Sequence, residues 1–190
     1  MKKGLNTTLS VLTKILEVAL WIGTVAGIIG IVGSIVDKEG VRKLITENGG
    51  ELACSGFDVN VITNNGEINF FAVTMFFIGT VLIFILTALI FRNIHNILTT
   101  IAGKNKHTVS TSPFQKDVVR MVREIGIFSV GIPVIGVIIT AITSIVSVIN
   151  GNSTEVSASL DGIVIGLVCL CLTQIFAYGA KLEEEVDGLV

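Results

Sequence analysis

RNIHNILTTIAGKNKHTVSTSPFQKDVVRMVRE, residues 92–124, carries six of the chain's thirteen Lys and Arg residues and joins two long apolar runs. Short loops rich in Lys and Arg stay on the cytoplasmic side of a bilayer, so this connector orients the runs around it as membrane spans. Both of its ends read as helix. Ile94, Ile97, Leu98 and Ile101 continue the preceding run at helical spacing as far as Gly103. Ser112-Pro113-Phe114-Gln115 is a helix start, with Ser as the cap, Pro in the first turn and Gln able to close a capping box. The helix from Pro113 to Glu124 then places Lys116, Arg120 and Arg123 on one stripe. Anionic lipid headgroups would attract that stripe, and docking of a cytoplasmic partner is the sharper reading of it.

Outward from the connector, the 190-residue chain is 51% hydrophobic and only 15% charged, which is too apolar for an ordinary soluble domain. A bilayer core of about 30 Å needs about 20 apolar residues per helix. Four runs meet that need, at residues 15–36, 70–91, 126–149 and 160–180. The expected fold is therefore an all-α polytopic membrane protein, one membrane domain over residues 1–190. Its four-helix transmembrane bundle has outer loops at 37–69 and 150–159 and a cytoplasmic connector at 92–125. Ten of the thirteen basic residues lie at the N-terminus, in the connector or in the tail, and only Lys38, Arg42 and Lys43 lie outside. Both termini are then cytoplasmic. The charge distribution carries no nucleic-acid footprint.

Lys2 and Lys3 precede the first apolar run, as in a signal peptide, but the run is longer than the usual h-region of about 7 to 15 residues and lacks an Ala-x-Ala-like end. It reads as a span. Ala19, Gly23 and Gly27 recur along it at intervals that let helices approach closely, against the chain's own helices or, as the alternative, in a homo-oligomer. In the first outer loop, Val41, Leu44 and Ile45 mark one face of a short amphipathic helix that stops at Gly49-Gly50. Phe57, Val59 and Val61 alternate with polar residues ahead of Asn65-Gly66, which predicts a β-hairpin turning there and forming an extracytoplasmic cap. Glu155 to Leu160 in the other outer loop could add a third strand to it.

Few residues could carry chemistry. Glu17 stands near the cytoplasmic end of the first span, where Lys14 or Arg92 could pair with it. Gln174 lies in the fourth span, where it is expected to hydrogen-bond to a neighbouring helix. Pro133 cannot donate to the carbonyl of Ser129 and predicts a bend or hinge in the third span. Cys54, Cys169 and Cys171 read as packing residues. His95 and His107 both belong to the connector, and there is no metal-binding or nucleophile motif, so neither catalysis nor a cofactor or metal is expected.

At Ser112-Pro113-Phe114, followed by Val119-Arg120-Met121-Val122-Arg123-Glu124-Ile125-Gly126, the chain resembles the bacterial membrane family called domain of unknown function 2975. That family's pattern there is Pro-Phe and then a basic amphipathic helix ending Ile-Gly. The C-terminal stretch is similar as well: Gln174-Ile175-Phe176, Gly179, Leu182 and then the acidic run Glu183-Glu184-Glu185. Gln174 stands where the family has an acidic residue, and Gly188-Leu189-Val190 replaces an Asp-Leu-Thr-like finish, so no role for that carboxylate carries over. The resemblance covers most of the chain from the second span onward. It implies the bacterial cytoplasmic membrane, no known reaction, and a small helix-turn-helix regulator as cytoplasmic partner. The function expected is that of a non-enzymatic sensor or scaffold; a small transporter or self-immunity protein is the alternative.

Overall fold

The computed structural model describes residues 2–47, 49–63, 66–102, 115–151 and 154–187. The elements run α1 (Lys2–Val36), α2 (Lys38–Glu47), β1 (Glu51–Cys54), β2 (Phe57–Asn60), α3 (Phe70–Ile101), α4 (Lys116–Ile149), β3 (Val156–Ala158) and α5 (Asp161–Asp187). The four long helices are each long and apolar enough to cross a membrane. Between 11% and 33% of each helix's most apolar window is buried within the protein, so most of that surface faces outward, as lipid contact requires.

The helices exceed the runs that announced them. α1 begins at Lys2 rather than at Ile15, and its 35 residues extend for about 52 Å. α3 continues past Arg92 to Ile101, as its spacing predicts. α4 joins the connector helix to the third span without a break, and Pro133 is fully buried inside it. The capping residues Ser112 and Pro113 lie outside the described residues. The tail expected after residue 180 is instead the last turns of α5. Leu and Glu are good helix formers there, and Lys181 pairs with Glu185 one turn on, at 4.0 Å.

Two compact units make up the chain: residues 1–20, 86–130 and 163–190 form one, and residues 21–85 and 131–162 the other. In the first, α4 and α5 approach through glycines. A Cβ on Gly166 would stand 2.9 Å from the Gly126 carbonyl oxygen, closer than packing allows.

In the second unit, the small-residue stripe of α1 meets α3. Gly23, Gly27 and Gly30 receive Phe84, Val81 and Phe77 respectively, so the stripe packs against the chain's own helix. A three-stranded antiparallel sheet in the order β1-β2-β3 packs beside them. The third strand forms where the second outer loop suggested it, with Phe57 opposite Ala158 and Val59 opposite Val156. The hairpin itself differs from the expectation. It turns at Ser55-Gly56, where Gly56 has φ 110°, and pairs Leu52 with Val59 and Cys54 with Phe57. The turn containing Gly66, φ 76°, closes only an isolated bridge between Ile62 and Ile68; Asn65 lies outside the described residues. β2 needs partners on both edges, and Glu51–Cys54 supplies the nearer one with a tighter connection.

The sheet is also not a cap resting on helix ends. Its inner face, Phe57 and Val59 with Leu52, Cys54 and Val156, packs into the main core with Val73, Phe76, Ile83 and Ile139. Gly56 lies against Ile83 of α3 and Ile132 of α4, and its carbonyl comes within 2.6 Å of where a Gly136 side chain would begin. From Phe70 to Ile83 is about 20 Å of helix axis, so the hairpin is a wedge driven between α3 and α4. The glycines make this depth attainable: Gly79 leaves room for the Phe57 ring and Gly136 for the turn's backbone.

Replacing Gly66 by Val should be felt locally. Nothing lies within 4 Å of the added Cβ, so the cost is the strained backbone alone, about 1 kcal/mol or more. Amide exchange should accelerate around residues 62–68 and stay unchanged in β1 and β2. Equal acceleration across both regions would mean that the two turns fold as one.

Candidate interaction surfaces

α4 presents Lys116, Arg120 and Arg123 on its exposed side, while Val118 on the opposite side is buried to 1% exposure. The stripe exists as the spacing predicts, but acidic neighbours share it. Lys116 Nζ lies 3.4 Å from Glu184 Oε2 of α5. Arg120 reaches Asp117 at 3.9 Å and Glu124 at 3.7 Å. These are exposed pairs, each worth no more than about 1 kcal/mol, so a stronger anionic partner can displace them. Arg123 makes no ion pair with a described residue.

The same unit holds a polar layer of which the sequence anticipated only the pairing of Glu17. Asn93 of α3, nearly buried, donates from Nδ2 to Glu124 Oε2 at 3.0 Å. His95 Nδ1 stands 2.9 Å from the Ser10 carbonyl oxygen and 3.2 Å from the Ser10 hydroxyl of α1. Glu17 is buried and bonds Lys14 Nζ at 2.9 Å, the local pairing that the sequence offered for it. The clue to this layer was available. Asn93, His95 and Glu124 interrupt apolar helical faces at the ends of the connector, where a polar side chain must find a partner if it turns inward.

Gln174 does not. It is exposed, and its side chain makes no hydrogen bond to a described residue. The packed face of α5 runs through Gly166, Leu170 and Thr173, and Gln174 sits at its edge, about 100° round the helix from Thr173 and about 40° from Leu170. Thr173 takes the buried place, its hydroxyl donating to the Cys169 carbonyl at 2.9 Å.

In the second unit, Asn69 caps α3 by accepting from the Ala72 amide. From its Nδ2 it also donates to Ser147 of α4 at 3.1 Å and to Thr154 ahead of β3 at 3.2 Å. One side chain thereby ties the loop ahead of α3 and the loop ahead of β3 to both helices. The outer face of the sheet is polar: Glu51, Asp58 and Ser157 are exposed, and the Ser157 hydroxyl donates to Asp58 at 3.4 Å. Cys54 points the other way. Burial pushes its thiol up, only partly countered by the Thr80 hydroxyl and the Ser55 backbone, so it is a slow nucleophile. Among the described residues, no group of His, Cys, Asp and Glu could hold a metal ion.

Comparison with family models, curated proteins and solved structures finds no match for the chain.

Proposed function

We propose that the chain is a non-enzymatic multi-pass protein of the bacterial cytoplasmic membrane that senses a ligand through its outer, sheet-bearing face and engages a cytoplasmic regulator through the connector. The observation that carries this reading is continuity. α3 and α4 grip the sheet through Gly79, Gly136 and Ile139, and the same two helices run unbroken to the connector's ends at Ile101 and Lys116. Such helices can convert a shift at one end into a shift at the other. The resemblance to the family of domain of unknown function 2975 supports a helix-turn-helix regulator as the partner.

This reading has a consequence for water. Sheet backbone at membrane depth is tolerated only where protein covers it or a water-filled recess meets it. The face bearing Glu51, Asp58 and Ser157 therefore lines a recess open to the exterior. In a chain with its native cysteines replaced, Asp58→Cys should be labelled by an impermeant thiol reagent from outside intact cells, and Lys106→Cys should not. Labelling at 106 but not at 58 would invert the topology; labelling at neither would close the recess.

Partner engagement is tested by reversing Lys116, Arg120 and Arg123 together to Glu. A helix-turn-helix regulator should co-purify with the wild type from native membranes and be lost from the triple variant, whose labelling pattern stays normal. If the regulator is retained, the stripe is not its docking surface. If topology changes instead, the stripe serves lipid headgroups.

A further inference from the structure

α2 separates two hollows of opposite character. On one side, α1, α2, β1 and α3 enclose a groove of about 500 Å³, with Gly33, Val41, Leu44, Ile45, Leu52 and Phe77 in its walls. This lies within the roughly 300–1,000 Å³ usual for ligand sites. Asp37 is the one ionisable group in its lining, and that carboxylate is already engaged, its Oδ1 accepting from the Gly40 amide at 3.0 Å to cap α2. On the other side, Lys38, Arg42, Lys43 and Glu39 border a hollow of about 360 Å³ against Phe70. Lys38 Nζ lies 5.4 Å above the Phe70 ring. None of these three cations makes an ion pair with a described residue, although Glu39 stands among them.

The geometry points to a bound anionic glycerophospholipid of the outer leaflet, one acyl chain in the groove and the phosphate held by Lys38, Arg42 and Lys43. The inference rests on the proposed topology, which puts α2 at the outer membrane surface. Three features select this occupant. The groove adjoins the exposed apolar face of α1, where Ile29 is 66% and Val32 54% exposed, so an acyl chain can enter sideways from the bilayer. The basic hollow lies across a single helix, about 10 Å in width, which a headgroup bridges by passing over α2. The charge fits as well. Lys38, Arg42 and Lys43 are the basic residues that break the positive-inside pattern, and a fixed anionic headgroup offsets them where they stand.

The test uses the full chain in nanodiscs containing equal phosphatidylglycerol and phosphatidylcholine, followed by native mass spectrometry. The wild type should retain one phosphatidylglycerol in preference to phosphatidylcholine. Replacing Lys38, Arg42 and Lys43 together by Gln should reduce that retention at least tenfold, and replacing Lys2, Lys3 and Lys14 by Gln should leave it unchanged. Gly33→Leu fills the groove and leaves the cations in place. It should abolish the preference even though the added Cβ meets only ordinary contact with Val41, at 3.5 Å. Equal retention of the two lipids by the wild type, or full retention by the triple Gln variant, would overturn the site and leave annular lipid only. The parent reading fails separately: inverted labelling at positions 58 and 106 would refute the topology whatever lipid is retained.

Discussion

Gly136→Ala is expected to lower stability by about 2 to 3 kcal/mol, a large cost for a single methyl group. The added carbon would lie 2.6 Å from the Gly56 carbonyl oxygen and 3.5 Å from the Phe57 Cβ. The obstacle is backbone held in a turn, with Ser159 donating from its amide to the same Gly56 oxygen at 2.9 Å. No side chain can rotate away to make room. The hairpin must withdraw along the helices, and withdrawal uncouples Phe57 from Gly79. Purified protein should lose about 5 to 10 °C in melting temperature, with faster amide exchange in β1 and β2. Wild-type melting and exchange would mean that the wedge is not held at Gly136.

Phe57→Ala is expected to cost about 3 kcal/mol or more, the usual price of removing a buried aromatic ring. Phe57 is 1% exposed, and its ring lies 5.5 Å from that of Phe76, centroid to centroid, at an angle of 51°. The loss is of contact rather than of transfer from water. Among apolar helices, association rests on close packing, and a void forfeits that packing outright. Gly79→Ala would press on the same ring, so the double variant should cost less than the sum of the two. Strict additivity would show that the ring and Gly79 are not partners.

The four long helices were legible because hydropathy summed over about 20 residues is a strong signal, and α2 because its apolar residues follow the helical period. β3 was legible from the alternation after Glu155. The depth of the sheet was not. Nothing in the local pattern of Phe57-Asp58-Val59 distinguishes a strand resting on helix ends from one driven between helices. That depends on Gly79 and Gly136, each of which looks like ordinary small-residue packing when read alone. The true turn was hidden for a different reason. Asn65-Gly66 is a strong local signal, whereas Ser55-Gly56 is a weak one, and it is the turn that pairs β1 with β2. Gln174 shows the limit of reading polarity without rotation. One residue of helical phase separates it from the buried Thr173, and the sequence near it marks no packed face until Gly126 is known to lie opposite Gly166.

The order of the strands bears on how such a chain is made. β2 is the central strand, yet β3 leaves the ribosome only after the whole of α4. Until then, the edge of β2 that will bond to Glu155 and Val156 has no strand beside it. Unpaired backbone groups are costly away from water, so the nascent hairpin waits in the aqueous phase and the space between α3 and α4 closes late. A chain released after residue 150 should therefore expose its β1–β2 hairpin to protease, while the full-length chain protects it. Synthesis of β3, rather than insertion of the first helix, is then the step that commits the protein to its shape.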